Sequence, residues 1–169
     1  MYFFGWANSW SDITHSVRQK LIIAATTQIR RSEFPESTAD ALEQSLRDAD
    51  RKVYDHLRDS VAQLEQIRLT KGGKKSYDLM VAGYFNDMFQ VLCQVYQAMK
   101  PGAEFVLVLG DSAPYGVYIP AEEYLGKLGV GIGFSSYTVE MLRKRGEKWA
   151  HNSQRHHVTL KESILTLVK

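Results

Sequence analysis

The stretch Met99-Lys100-Pro101-Gly102-Ala103-Glu104-Phe105-Val106-Leu107-Val108-Leu109-Gly110-Asp111-Ser112 decides the fold. Upstream of it, Met80, Tyr84, Met88, Leu92, Val95 and Met99 recur at helical spacing, and Pro101-Gly102 stops that helix. The period then switches. Glu104 to Leu109 is a continuous β-prone apolar run, the pattern of a parallel strand buried on both faces. Gly110-Asp111-Ser112 follows as a loop at the carboxyl end of that strand, the edge where open α/β sheets bind ligands.

Toward the C-terminus, Pro120 begins a helix running to about Gly129, and Phe134 to Met141 and Glu162 to Val168 read as strands. The order is therefore helix, strand, helix, strand, strand. The polar, basic stretch from Arg143 to His157 reads as a long exposed loop between the last two strands. Toward the N-terminus, Ser9 or Ser11 caps a helix to about Arg31, with Ile13, Val17, Leu21, Ala24 and Ala25 on one face. After Phe34-Pro35, Ser37 or Thr38 starts a long helix in which Leu42, Leu46, Ala49, Val53, Leu57, Leu64 and Ile67 recur. Leu42, Val53 and Leu64 stand 11 apart, a spacing that keeps the stripe straight along a helix that either packs in the core or lies along a partner. The chain divides into a helical segment, 1–75, and an α/β segment, 76–169.

At 169 residues and 44% hydrophobic, the chain supports one core and one domain. No apolar run approaches the roughly 18 residues of a membrane span, and the N-terminus lacks a secretory pattern, so the expected compartment is the cytoplasm. The lone Cys93, inside an apolar stripe, reads as a buried thiol. The net charge of +2 hides an asymmetry: Glu33 to Ile67 holds nine acidic and four basic residues, whereas Met141 onward holds seven basic and two acidic. Lys71, Lys74 and Lys75 around Gly72-Gly73 form a second basic cluster. Both clusters suit a polyanion, although solvated surface charge is the commoner explanation of each.

The run from Tyr77 to Val168 resembles the C-terminal half of the S-adenosylmethionine-dependent DNA modification methyltransferases that act on exocyclic amino groups of adenine or cytosine. Four pieces carry the likeness: Tyr84-Phe85-Asn86-Asp87-Met88, Met99-Lys100-Pro101-Gly102-Ala103, Val108-Leu109-Gly110-Asp111-Ser112 and Glu162-Ser163-Ile164-Leu165. The stretch from Ser112 to Pro120 is also similar to the DNA-modifying branch, and Met1-Tyr2-Phe3-Phe4-Gly5 is similar to the segment downstream of its catalytic loop. The resemblance implies an α/β fold, a partial class I methyltransferase (Rossmann-like) sheet of about three strands, the fifth to seventh, preceded by a helical segment. It implies a restriction-modification setting, with S-adenosylmethionine as cofactor and DNA as partner.

Two expected pieces are missing from these residues. The cofactor-holding Phe-x-Gly-x-Gly loop is absent, since Gly129-Val130-Gly131-Ile132-Gly133 follows a helix and reads as its C-terminal turn. There is also no Pro-Pro dipeptide for the catalytic loop. No catalytic and no cofactor-binding residue is therefore assigned. The strand Phe105 to Leu109 would lack its neighbour on one side, which invites pairing with another chain. The expectation is the C-terminal part of a methyltransferase that needs a complementary half, or that pairs with a second copy through the orphan strand edge. The alternative is a catalytically silent DNA- or protein-binding module with a methyltransferase-like core.

In that setting Asp111, Ser112, Tyr115 and Tyr118 lie near the active-site edge. Asp111 holds a loop, a substrate group or a water, or caps the following turn, and the tyrosines stack on an extruded base or pack under the loop. Lys71, Lys74, Lys75, Arg143, Lys144, Arg145, His151 and Arg155 reach DNA phosphates, and Asn152 a base edge. A metal site at His151, His156 and His157 is not expected, because an adjacent pair rarely converges on one ion and no second cluster completes the set. Ser112 is not in a Gly-x-Ser-x-Gly elbow, which argues against a hydrolase.

Overall fold

A computed structural model describes residues 8–17, 20–24, 38–71, 75–145 and 158–169. Ser9 caps a single turn, α1 (Trp10–Asp12): its hydroxyl accepts the Asp12 N–H at 3.1 Å while the Asp12 carboxylate accepts the Ser9 N–H at 2.9 Å. The turn widens into a π-helical turn, Ile13–Val17, and by Leu21 to Ala24 the chain has left the helix. The expected helix to Arg31 therefore does not continue through its middle. At Ile23 the backbone N–H is given instead to the Asp87 carboxylate, at 2.8 Å. Ala25 to Arg31 lie outside the described residues.

The expected long helix is two helices after a 3-10 turn, Thr38–Ala41: α2 (Gln44–Ala49) and α3 (Arg51–Lys71). Asp50 makes the break. Its backbone is extended (φ −151°) and its Oδ1 accepts the Val53 N–H at 2.9 Å, so it caps α3 from the N-terminal side. The apolar stripe is core, not a projecting face: Leu46, Val53, Leu57, Val61 and Leu64 are all buried. Helix α4 (Tyr77–Ala98) packs beside α3, and its adjacent polar residues tie down the segments that cross it. Asn86 donates to the Ala41 carbonyl at 2.8 Å and accepts the Glu43 N–H at 3.0 Å, while Asp87 holds Ile23.

Three strands follow, β1 (Glu104–Gly110), β2 (Ser136–Arg145) and β3 (Leu160–Val168), with α5 (Ala121–Ile132) between the first two. They form a three-stranded sheet of order β1-β3-β2 in which β3 is antiparallel to both neighbours. The parallel, doubly buried strand expected at Glu104 to Leu109 is thus replaced by an antiparallel one. Burial alternates along it. Phe105, Leu107 and Leu109 turn toward the core, whereas Val106 and Val108 stand 54% and 63% exposed on the opposite face, because helices cover only one side of the sheet. Since β1 and β2 both oppose β3, they point the same way, and α5 joins them as a β-α-β unit split by an inserted strand.

Phe85 and Leu92 of α4, Leu57 and Leu64 of α3, Leu125 and Leu128 of α5, and Leu165 and Leu167 of β3 fill a single core, so the helical and α/β segments pack as one body. Among the described residues the outer edge of β1 has no partner strand. None of the described helices is long and apolar enough to cross a membrane.

Candidate functional site

Because β1 and β2 run in the same direction, their carboxyl ends lie at one end of the sheet. The register makes this concrete: Gly110 faces Glu162, Glu162 faces Arg143, and Arg145 faces Leu160. The Ser112 to Tyr118 loop and the Arg143 to Arg145 strand end both lie there.

Asp111 is the joint. It is 1% exposed, and its Oδ2 accepts the Tyr118 hydroxyl at 2.9 Å while its Oδ1 accepts the Lys161 N–H at 2.8 Å. The Arg145 guanidinium donates to the Asp111 carbonyl and lies 3.5 Å from Oδ1, and its Nε donates to the Lys161 carbonyl at 3.1 Å. One carboxylate thus fastens the loop after β1 to the end of β2 and the start of β3. A buried carboxylate with this many donors is satisfied and rigid. Burial first, then the Asp111 hydrogen bond and neighbouring negative charge, pushes the Tyr118 phenol well above its usual range.

The loop itself closes where Ser112 and Ile119 exchange backbone hydrogen bonds, at 3.1 and 2.8 Å. A 3-10 turn, Pro114–Gly116, sits inside it and places Tyr115 in the left-handed region (φ 50°), uncommon for a non-glycine residue. The Tyr115 ring meets Tyr77 edge-on at 4.9 Å, and its hydroxyl reaches the Lys75 carbonyl at 3.5 Å. The Lys75 ammonium stands 5.9 Å from the Tyr77 ring centre. Lys75 and the Ser112 to Tyr118 loop, assigned separately from the sequence, are neighbours.

The basic residues of β2 divide by role. Arg145 is committed to Asp111, Arg143 pairs with Glu162 at 2.6 Å, and Lys144 is exposed. Lys74, His151, Asn152 and Arg155, with His156 and His157, lie outside the described residues, as does the side chain of Lys71. Reading the sequence missed Tyr77, Glu122 and Lys161. Glu122 is fully buried and meets the Lys161 ammonium at 2.9 Å, which raises the Lys161 pKa. Its Oε2 and the Ser163 hydroxyl are buried with no hydrogen-bond partner among the described residues. The Glu122-Glu123 pair behind Pro120 signals a helix start but not burial.

The glycine run at the end of α5 is filled by protein: a Cβ at Gly129 would lie 2.6 Å from Leu167, and one at Gly131 would lie 2.2 Å from the Ala49 carbonyl oxygen. Gly133 adopts φ 130° and ends the helix under Tyr96. No family model, curated protein or solved structure matches this chain.

Proposed function

We propose that these residues are the C-terminal part of a DNA amino-methyltransferase, which transfers a methyl group from S-adenosylmethionine to adenine N6 or cytosine N4. In this reading the three strands are the fifth to seventh of a class I methyltransferase sheet. The cofactor loop and the Pro-Pro-aromatic loop come from a complementary chain, and DNA lies across the end of the sheet where β1 and β2 finish. The observation that carries the reading is the convergence at that end of Lys75 with Tyr77 and Tyr115, of the Asp111 to Tyr118 loop, and of the Arg143 to Arg145 strand end. Exposed lysines beside aromatic rings suit phosphate and base contacts. Asp111, already satisfied by Tyr118, Lys161 and Arg145, serves as a positioning residue for the loops on either side of it.

The same engagement of Asp111, with the filled glycine run, favours a second reading: a silent binding module that keeps the core and holds DNA or a partner protein. Calorimetric titration of S-adenosylmethionine, followed by a transfer assay, separates the two. The first reading predicts no heat with the chain alone and transfer of labelled methyl to duplex DNA only when a polypeptide bearing both missing loops is co-expressed. Absence of transfer from a folded, assembled complex would leave only the binding module. Heat at one-to-one stoichiometry from the chain alone would refute both, because each lacks a complete cofactor site.

A further inference from the structure

A cavity of about 230 Å³ opens between α4 and the carboxyl end of β1. Met80, Tyr84 and Phe85 form its α4 wall, Ser112 and Ala121 the opposite wall, and Ala24 closes it from the N-terminal segment. None of the described lining residues carries a charge, so among them an ion entering would find no counter-charge for its lost hydration. The volume lies below the roughly 300–1,000 Å³ of sites for drug-sized ligands and suits one or two fused rings. Phe85 and the Tyr84 ring offer aromatic surface, Met80 a polarizable sulfur. Neither the Tyr84 hydroxyl nor the Ser112 hydroxyl makes a side-chain hydrogen bond among the described residues, and burial raises the Tyr84 pKa.

Ile23 fastens the Ala24 wall to α4. Ile23 rests its side chain on Gly83, where a Cβ would come within 2.5 Å of Ile23 Cδ1, and gives its N–H to Asp87. Leu21 and Ile22, just before it, are 56% and 39% exposed.

We infer that this cavity is a binding site for a neutral, flat heteroaromatic ring, hydrogen-bonded by Tyr84 or Ser112 and walled on one side by the Ile23-anchored segment. The inference is independent of the methyltransferase reading, since it requires neither cofactor nor transfer. One source of such a ring is a free small heterocycle, and the other is a base swung out of a nucleic acid.

Amide chemical shifts of the full chain, followed during titration with benzimidazole and separately with a DNA duplex carrying one unpaired adenine, test it. Benzimidazole is expected to shift Ala24, Tyr84, Ser112 and Ala121 saturably, with Tyr84→Phe weakening binding about fivefold if the hydroxyl carries the hydrogen bond. Ala24→Leu and Ala121→Leu fill the cavity from two different walls, and each should abolish binding. Because Ala24 lies outside the core, that variant stays informative even if the Ala121 variant fails to fold. The same shifts from the duplex, lost on the same filling, would assign an extruded base, and shifts from benzimidazole alone a free heterocycle. No saturable shift at these residues with benzimidazole, or undiminished binding in a folded filled variant, would overturn the site.

Discussion

Tyr118 and Lys161 face Asp111 and Glu122 at the same joint, and both hold their protons more firmly in the folded chain. For Tyr118 the causes are burial, then the hydrogen bond to Asp111, then the charges of Asp111, Glu122 and Glu123, all raising the phenol above its ordinary value of 10.0. For Lys161 the hydrogen bond to Glu122 comes first, raising the ammonium above 10.5. The unfolded chain therefore releases these protons first as the pH rises. The stability they contribute is complete below about pH 10 and falls above it, because the native state then binds more protons than the unfolded one. Because burial also raises the Cys93 thiol above its ordinary 9.0, urea midpoints should be level only between about pH 7 and 8, begin to fall near pH 9 and decline more steeply beyond about pH 10. Tyr118→Phe removes one titrating group, so the decline should become shallower by as much as one proton's worth of slope. It should not vanish, since burial also raises Tyr84, Tyr124 and Tyr137. An unchanged slope in the phenylalanine variant would mean that Tyr118 ionises alike in both states.

At the scale of elements, the glycines of α5 act through close approach. Replacing an exposed helical glycine by alanine ordinarily stabilises by roughly 0.5–1 kcal/mol. At Gly131 the sign should reverse, because a Cβ there would meet the Ala49 backbone at the break between α2 and α3, and backbone cannot rotate away. Gly131→Ala is expected to lower stability by about 1–3 kcal/mol in urea unfolding, the usual cost of overpacking. A stabilised variant would mean that the two helices can part at no cost. The switch from helical to strand periodicity at Glu104 places α4 and β1, and Pro120 places the start of α5, but that helix runs three residues beyond the expected Gly129 and ends at Gly133. The direction of β3 is not legible, because alternation of burial tells which side chains share a face and not which way a strand runs. Asp50 carries a helix-start signal in its residue type, but an unbroken apolar stripe through Ala49 and Val53 conceals it. In the site, Asp111, Tyr115, Tyr118 and Lys75 are legible from their place beside turns and glycines. Their partners Tyr77, Glu122 and Lys161 are not, since only the folded chain brings residues 50 apart, such as Asp111 and Lys161, into contact.

At the scale of the whole molecule, helices cover the face of Leu165 and Leu167, while Val106 and Val108 stand exposed beside an edge that no strand among the described residues pairs. The Lys169 N–H donates to the Ala103 carbonyl, so alternation along the antiparallel ladder turns the backbone groups of Phe105, Leu107 and Leu109 toward β3. The N–H and C=O groups of Glu104, Val106 and Val108 therefore face the free edge. Strand edges are usually guarded by proline, lysine or a bulge, and β1 from Glu104 to Gly110 has neither of the first two and keeps a regular register. A strand from a second copy or from a complementary chain would hydrogen-bond to these groups. Val106→Pro removes an edge donor while sparing the ladder to β3, so the variant should fold and yet fail to assemble. Light scattering checks this directly: an assembly heavier than the 19.3 kDa chain is expected for the wild type, alone or with the complementary half, and the mass of the single chain for the variant. An assembly of unchanged mass from a folded Val106→Pro chain would show that this edge is not the joint, and the apolar face of Val106 and Val108 would then have to carry association without strand pairing.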